Sequence, residues 1–233
     1  MADEATKTSH HEKQVHCERY EIASNHDLVL VVKENWIISR RVGDEFVEQQ
    51  GEPRAVYEFE VSREVLIAIP YFKRLLAQEH SEAKQNTVEL KEDDPRAWKL
   101  WLQILHAGSL EQSSYEVPTV TVWHVLLIAE KYCIDPTRED AQQWFDKWVE
   151  TQAGEGLFTD QRRICEILFP CHAFDHAPGF AAGTEWLAYN SVGHIMESRP
   201  AGFTHHTHLR LDHGILRKYS PPQAPYLHTT TDS

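Results

Sequence analysis

The amino-acid sequence predicts an α+β fold from three local patterns. Tyr57–Val61 alternates apolar and acidic residues, which is the two-residue period of a strand with one buried face. Thr87–Leu90 is a second short strand pattern, and Asp94-Pro95 after it combines a helix-capping residue with proline at the first helical position. Apolar residues then recur at intervals of three and four, so helices are expected to follow these strands.

Upstream of these patterns, the sequence predicts one further strand and little other regular structure. Residues 1–25 are polar and are expected to form a disordered tail. Asp27–Val32 is a short apolar run opened by an acid, which predicts a buried strand. Residues 34–56 are charged and contain glycine and proline, so we interpret them as an irregular excursion with a short strand at Trp36–Ser39.

Helix boundaries are predicted from capping residues and prolines. Ser62 is the expected cap of a first short helix, which Pro70 ends while it starts the next one. Thr121 and Asp135-Pro136 are the expected starts of two later helices. Before these two helices, the helix behind Asp94-Pro95 has one apolar face, formed by Ala97, Leu100, Trp101, Ile104 and Leu105.

The last of these helices carries three large aromatic residues, Trp144, Phe145 and Trp148, at helical spacing. Such a stripe is typical of a hydrophobic core, and an exposed partner surface is the alternative. If the stripe is core, it is placed to seat the helices that follow it against the first domain.

The remaining chain predicts a helical C-terminal extension over residues 157–219, behind a break at Thr151–Gly156. One helix is expected to end at Pro170, and another is expected to be capped by Thr184. Residues 220–233 begin with consecutive prolines and are expected to form a second disordered tail.

Charge and hydropathy exclude several classes of protein. The chain has 233 residues and a formal net charge of −13, and residues 1–160 hold 30 acidic against 17 basic side chains. A region with this excess of negative charge repels phosphate backbones. We therefore expect no nucleic-acid partner. No apolar run approaches the roughly 20 residues that span a bilayer, and the polar first residues lack the apolar core of a signal peptide. We therefore expect an intracellular protein without a membrane partner.

The C-terminal third contains residues that invite a metal site. The four cysteines of the chain, including Cys165 and Cys171, are expected to be reduced thiols in an intracellular protein. Structural zinc ligands come in pairs two to four residues apart, and these two cysteines are further apart than that. Histidines near them leave a metal-binding C-terminal region as a distant alternative: His172, His205, His206 and His208.

A hydrolytic site in the same region is an equally distant alternative. It would pair Cys171 with His172, or Ser191 with His194. Adjacent residues rarely point at each other, and the sequence has no Gly-x-Ser-x-Gly turn and no glycine-rich phosphate loop. The sequence therefore predicts no enzyme, no cofactor and no bound metal.

A series of short segments occurs in a characteristic order, namely Asp27–Val32, Phe59–Leu66, Tyr71-Phe72, Leu90–Pro95, Ile104–His106, Val117-Pro118 and Ile128–Tyr132. In this order they resemble the BTB/POZ domain, of the kind common in filamentous fungi. The resemblance covers about residues 26–150. It implies a small mixed β-sheet flanked by α-helices, followed by a helical C-terminal extension.

The resemblance implies a non-enzymatic protein–protein interaction module that mediates homo- or hetero-association. Asp27 and Arg63 match the two positions that form a charged pocket in dimeric members, where they would pair through bidentate hydrogen bonds. An ordinary salt bridge within the domain is the alternative interpretation of this pair.

A cullin is the second partner that the resemblance suggests. Leu110 and Glu111 lie where cullin-binding members present a hydrophobic residue near an acid, although both could be plain loop residues. The alternative function is therefore that of a substrate adaptor of a cullin-type ubiquitin ligase.

Overall fold

The fold is a four-stranded mixed sheet covered by helices, which confirms the predicted α+β class. The computed structural model describes residues 15–42, 45–77, 86–106, 110–154, 156–191, 197–204 and 209–211, and for residues 35–52 it describes the backbone alone.

The strands are β1 (His16–Glu21), β2 (Leu28–Val42), β3 (Glu45–Val61) and β4 (Thr87–Leu90). The first helices are α1 (Arg63–Leu66), α2 (Pro70–Ala77), α3 (Pro95–Leu105), α4 (Thr119–Tyr132) and α5 (Glu139–Gly154). Short 3₁₀ helices lie at Gln112–Tyr115 and Leu157–Thr159, and α6 (Gln161–Ala173) and α7 (Ala177–Asn190) complete the described elements.

The sheet has the strand order β1-β3-β2-β4. β3 runs antiparallel to β2, whereas β1 and β4 each run parallel to their single neighbour. The strands predicted at Asp27–Val32 and Tyr57–Val61 are confirmed as the start of β2 and the end of β3, and β4 has the predicted bounds. Their buried side chains include Leu30, Val32 and Phe59, which are at most 1% exposed.

The predicted tail over residues 1–25 is wrong for residues 16–21, which form β1 along β3. The strand is polar, and long-range contacts hold it. The Tyr20 ring stacks on Phe59 with centroids 5.5 Å apart, and the Arg19 guanidinium lies 2.5 Å from a carboxylate oxygen of Glu60. These partners are about 40 residues away in sequence, so no local pattern in the tail could reveal the strand. Residues 1–14 and 220–233 lie outside the described residues.

Residues 34–42 and 45–56 belong to the paired strands β2 and β3, so the predicted irregular excursion is wrong, whereas the strand expected at Trp36–Ser39 is confirmed as part of β2. The backbone pairs from Asn35 opposite Pro53 to Val42 opposite Glu45, with register shifts on both sides of Asn35. Pairing of this kind rests on backbone hydrogen bonds, which nearly every residue can offer. A search for apolar alternation therefore does not detect it.

Among the predicted helix caps, Asp94 is confirmed and Thr121 is not. Asp94 Oδ1 accepts hydrogen bonds from Arg96 N at 2.9 Å and from Ala97 N at 3.0 Å, which satisfies two free donors of α3. Thr121 lies inside the first turn of α4, whose start at Thr119 precedes it.

Later helix boundaries also differ from the prediction. α5 begins at Glu139, after a turn in which Asp135 Oδ1 accepts from Thr137 N at 2.9 Å. α6 continues past Pro170, and Thr184 lies inside α7, where its hydroxyl donates to the preceding turn. Packing of the apolar faces of these helices outweighs the local preference of single residues. The described residues beyond Asn190 contain no helix, so the predicted extension is helical only up to that point within the described chain.

Among the described side chains, five tryptophans are buried, and each indole N–H donates a hydrogen bond. Trp101 donates to Val125 O at 2.7 Å, which joins α3 to α4. Trp123 donates to Glu166 O at 2.8 Å, which joins α4 to α6. An unpaired buried N–H would cost about 1–3 kcal/mol, so these bonds fix how the helices are placed.

The aromatic stripe of α5 is core, as predicted: Trp144, Phe145 and Trp148 are at most 1% exposed. Their indoles donate to carbonyl oxygens of the segment just before α4, at 3.0 and 2.8 Å. Phe174, which follows α6, stacks on Phe145 with ring centroids 4.4 Å apart. The stripe therefore seats the C-terminal helices against the first part of the chain, as expected.

A buried carboxylate links the loop before α3 to the end of α4. Asp93 has a side chain only 1% exposed and accepts from Lys131 Nζ at 2.8 Å. Its other oxygen accepts from Trp98 Nε1 at 3.1 Å and from the Tyr132 hydroxyl at 2.5 Å. Both carboxylate oxygens are thus satisfied, as a buried charge requires.

We predict that Asp93→Ala lowers the free energy of unfolding by about 3 kcal/mol, since it leaves the Trp98 and Tyr132 donors buried without an acceptor. Urea unfolding followed by tryptophan fluorescence measures this loss. Glu89→Ala is the matched control, because Glu89 is partly exposed and pairs with Lys33 on the sheet surface, so the change is expected to cost less than about 1 kcal/mol. Equal losses in the two variants would contradict the prediction.

Candidate functional site

The Asp27–Arg63 pair lies where β2 and α1 both begin, and its firmest bond is a helix cap. Asp27 Oδ1 accepts from the backbone N–H of Arg63 at 2.7 Å, a role expected of Ser62, whose side chain makes no capping bond. Arg63 Nε lies 4.0 Å from Asp27 Oδ2, so no bidentate bond is present. The Asp27 side chain is 58% exposed and that of Arg63 is 24% exposed, so the carboxylate faces solvent.

His106 connects the end of α3 to the residue before α1. Its Nδ1–H donates to Leu102 O at 2.8 Å, and its Nε2 accepts from Ser62 N at 3.1 Å. The bond that Nε2 accepts requires the neutral ring, and burial lowers the pKa of His106, which favours that form. Sequence reasoning missed this role because Ser62 is 44 positions away in the chain.

Leu110 and Glu111 lie directly before the 3₁₀ helix Gln112–Tyr115. Leu110 is partly buried against the hydrophobic core, and Glu111 is exposed. A carboxylate oxygen of Glu111 accepts from the Ser113 hydroxyl at 3.3 Å. The structure therefore presents the acid to solvent and anchors the leucine on one side. This pair lies apart in sequence from Asp27 and Arg63, on a different connection of the fold.

A groove of about 590 Å³ lies between α5 and α7; we name it the α5–α7 groove. Its apolar lining includes Phe158 and Phe174, and the lining also includes Asp146 and Glu150 of α5. A second cavity of about 600 Å³ lies on the other side of α7 and shares Asp175 and His176 with the groove. Sequence reasoning found neither cavity, because each combines residues of separate elements.

His176 caps α7 and shapes one end of the groove. Its Nδ1 accepts from Gly179 N at 2.9 Å, and its Nε2 lies 3.4 Å from Asp146 Oδ1. A Cβ on residue 179 would lie 2.4 Å from His176 Nδ1, so only glycine leaves room for this cap. Sequence reasoning assigned the cap to Thr184 because histidine is not among the usual capping residues.

The residues suggested for metal binding or hydrolysis do not form a site in the described structure. Cys165 and Cys171 are buried free thiols, and burial raises the pKa of Cys171 to about 12, so its thiol stays protonated at neutral pH. His194, His205, His206 and His208 lie outside the described residues. Within the described part of the chain, no three His, Cys, Asp or Glu residues cluster as metal ligands.

Over the same ranges, no helix is both long and apolar enough to span a membrane.

Comparison with known families identifies the first part of the chain. Residues 55–147 match the family model described as BTB/POZ domain. This region is similar to the BTB/POZ domain. The match begins within β3 and ends within α5, so it includes Arg63, Leu110 and Glu111, while Asp27 lies upstream, directly before the strand that pairs with β3. No curated protein matches the chain.

The BTB/POZ domain is a protein–protein interaction module and typically has no enzymatic activity. At this level the function expected from the sequence is confirmed, and so is a protein as the class of partner. The mixed sheet flanked by helices agrees with the same assignment.

We predict that His106 makes the folded chain less stable at mildly acidic pH. Burial lowers its pKa in the folded state, so the unfolded chain binds the proton more readily. The contribution of neutral His106 to the free energy of unfolding is therefore fully present above the pKa of the unfolded chain, about 6.5. It is lost as the pH falls from there through the lowered pKa of the folded state. Urea unfolding between about pH 5 and 8 measures this slope.

His106→Gln removes the titrating group, so the pH slope due to this residue is expected to disappear. His172→Gln is the control, because His172 is exposed and belongs to α6. A slope that is the same in His106→Gln as in the native chain would contradict the prediction.

Proposed function

We propose that this chain is a non-enzymatic interaction module that associates with a second copy of itself, or with another protein, through the surface around Asp27 and Arg63. The observation that carries the proposal is the BTB/POZ match over residues 55–147, together with the exposed Asp27 carboxylate at the start of β2. In dimeric members of the family, the matching positions form a charged pocket.

An apolar residue beside this pair supports the proposal. Ile67 is 41% exposed and lies one helical turn after Arg63, whose carbonyl accepts its N–H. It is among the few large hydrophobic residues that are exposed in the described chain. An exposed apolar side chain next to charged groups is the arrangement of an interface centre with a polar rim.

We predict that Asp27→Asn lowers the mass of the chain in solution, measured by light scattering after size exclusion. Asparagine keeps an Oδ1 that can accept from Arg63 N, so the cap of α1 persists and only the charge is lost. Glu130→Gln is the matched control, because it removes one charge from an exposed position on α4.

An additional variant, Ile67→Lys, places a charge at the proposed interface centre without touching the core. It is expected to lower the mass further. A native mass in both Asp27→Asn and Ile67→Lys would remove this surface as the site of self-association.

The second candidate is a substrate adaptor of a cullin-type ubiquitin ligase. The observation in its favour is that Glu111 is exposed directly beside the partly buried Leu110, ahead of a 3₁₀ helix that Trp144 holds in place. An acid and an apolar side chain on a fixed connection can together specify one partner surface.

For this candidate we expect a cullin N-terminal domain to be retained by the immobilised chain, and Glu111→Lys to weaken retention about tenfold or more by reversing the charge. Glu116→Lys, an exposed acid just past the same 3₁₀ helix, is the control. Absence of retention by the native chain would exclude the adaptor role.

We also propose that the chain is a BTB/POZ protein of the kind common in filamentous fungi, and that it acts inside the cell. Supporting the first, two helices, α6 and α7, pack behind the tryptophan-rich α5. Supporting the second, all four cysteines are free thiols, as is usual in a reducing compartment.

A further inference from the structure

The α5–α7 groove exposes apolar surface that no described element covers. Its floor contains Phe174, 1% exposed, and the partly buried Phe158, so the floor is set by the core. Its walls contain Ala153 of α5 with Pro178 and Ala182 of α7, and all three are exposed. Apolar surface that is concave and rimmed by polar residues is typical of a binding site.

The charge of the groove has one sign. Asp146, Glu150 and Asp175 lie on its rim, and all three are exposed. Among the described residues that line it, none is Lys or Arg, and the only other ionisable group is His176, whose side chain is 11% exposed. Low-dielectric walls around charges of one sign strengthen their attraction for the opposite charge.

We propose that the α5–α7 groove binds a basic apolar segment of a partner protein, with an apolar side chain on the phenylalanine floor and flanking Lys or Arg side chains on the acidic rim. This assignment rests on the proposed function as an interaction module, and it adds a second surface, apart from Asp27 and Arg63, with its own partner chemistry. Charge complementarity selects the segment, and burial of its apolar side chain holds it.

The size of the groove fits a short segment. Its α5 side runs from Gln142 through Asp146 and Glu150 to Ala153, which is twelve residues spanning roughly 16 Å along the helix axis. A helical segment of about three turns, or about five extended residues, covers that length. The second cavity continues the surface across the start of α7, where both cavities share Asp175 and Ala177, and it adds the exposed Glu185.

The test uses the full chain and a labelled peptide of about twelve residues in which leucine and phenylalanine alternate with lysine. Two matched peptides carry glutamate in place of lysine, or serine in place of the apolar residues. Fluorescence anisotropy measures the affinity of each. We expect the basic apolar peptide alone to bind saturably, one per chain, and to bind more weakly as salt is raised.

Variants locate the binding site. Glu150→Lys is expected to weaken the basic apolar peptide about tenfold or more, and Glu150→Gln by less, because the second only removes the charge. Ala182→Arg is expected to abolish binding by filling the groove and adding a positive charge. Glu130→Lys makes the same charge change as Glu150→Lys on an exposed site of α4 outside the groove, so native affinity is expected. Circular dichroism of each variant reports its folding.

Three results would overturn the proposal. The first is that the serine peptide or the glutamate peptide binds as tightly as the basic apolar peptide, which would show that the groove does not select basic apolar segments. Native affinity in both Glu150→Lys and Ala182→Arg would place the peptide elsewhere. A lower mass of Ala182→Arg than of the native chain in light scattering would assign the groove to a second copy of this chain. Failure of these tests leaves the Asp27 interface intact, because that interface is measured by mass in Asp27→Asn and not by peptide binding.

Discussion

Every fully buried indole needs an acceptor for its N–H, and this constraint positions the helices. Trp98 is bonded to the buried Asp93 carboxylate, and the other four donate to backbone carbonyls. A backbone carbonyl can accept only if its segment lies at one distance and angle. The four bonds to carbonyls each hold one helix against another helix or against the segment before α4, and α3, α4, α5 and α6 share one packed core.

The surfaces proposed for partners depend on that core. Phe174 lies on Phe145 and forms the floor of the α5–α7 groove, so the groove exists only because the C-terminal helices are seated on the aromatic stripe of α5. Likewise, Trp144 bonds to Ser114 O and holds the segment that follows Glu111. Side chains in the core thus set the shape of the exposed surface, and the charges on it, Asp146 and Glu150 among them, set which partner chemistry it attracts.

The elements that sequence reasoning found share a local cause. Asp94 caps α3 through donors two and three residues away, and β4 has the predicted bounds, since both depend on neighbouring residues. The elements that it missed depend on distant ones. β1 is held by Phe59 and Glu60, and α6 continues past Pro170 because its face is buried. In both cases packing against other elements outweighs the local preference of single residues.

The sequence by itself determined the α+β class, the order of the inner strands and helices, and the burial of Trp144, Phe145 and Trp148, because hydrophobic period and capping chemistry are written in consecutive residues. It also placed Asp27 and Arg63 as a pair through a family resemblance. Only the tertiary structure decided that Asp27 caps α1 with its carboxylate facing solvent, and that α5 and α7 enclose a groove with an acidic rim. The physical reason is that a cavity or a long-range cap is formed by residues far apart in sequence, which come together only when the chain has folded.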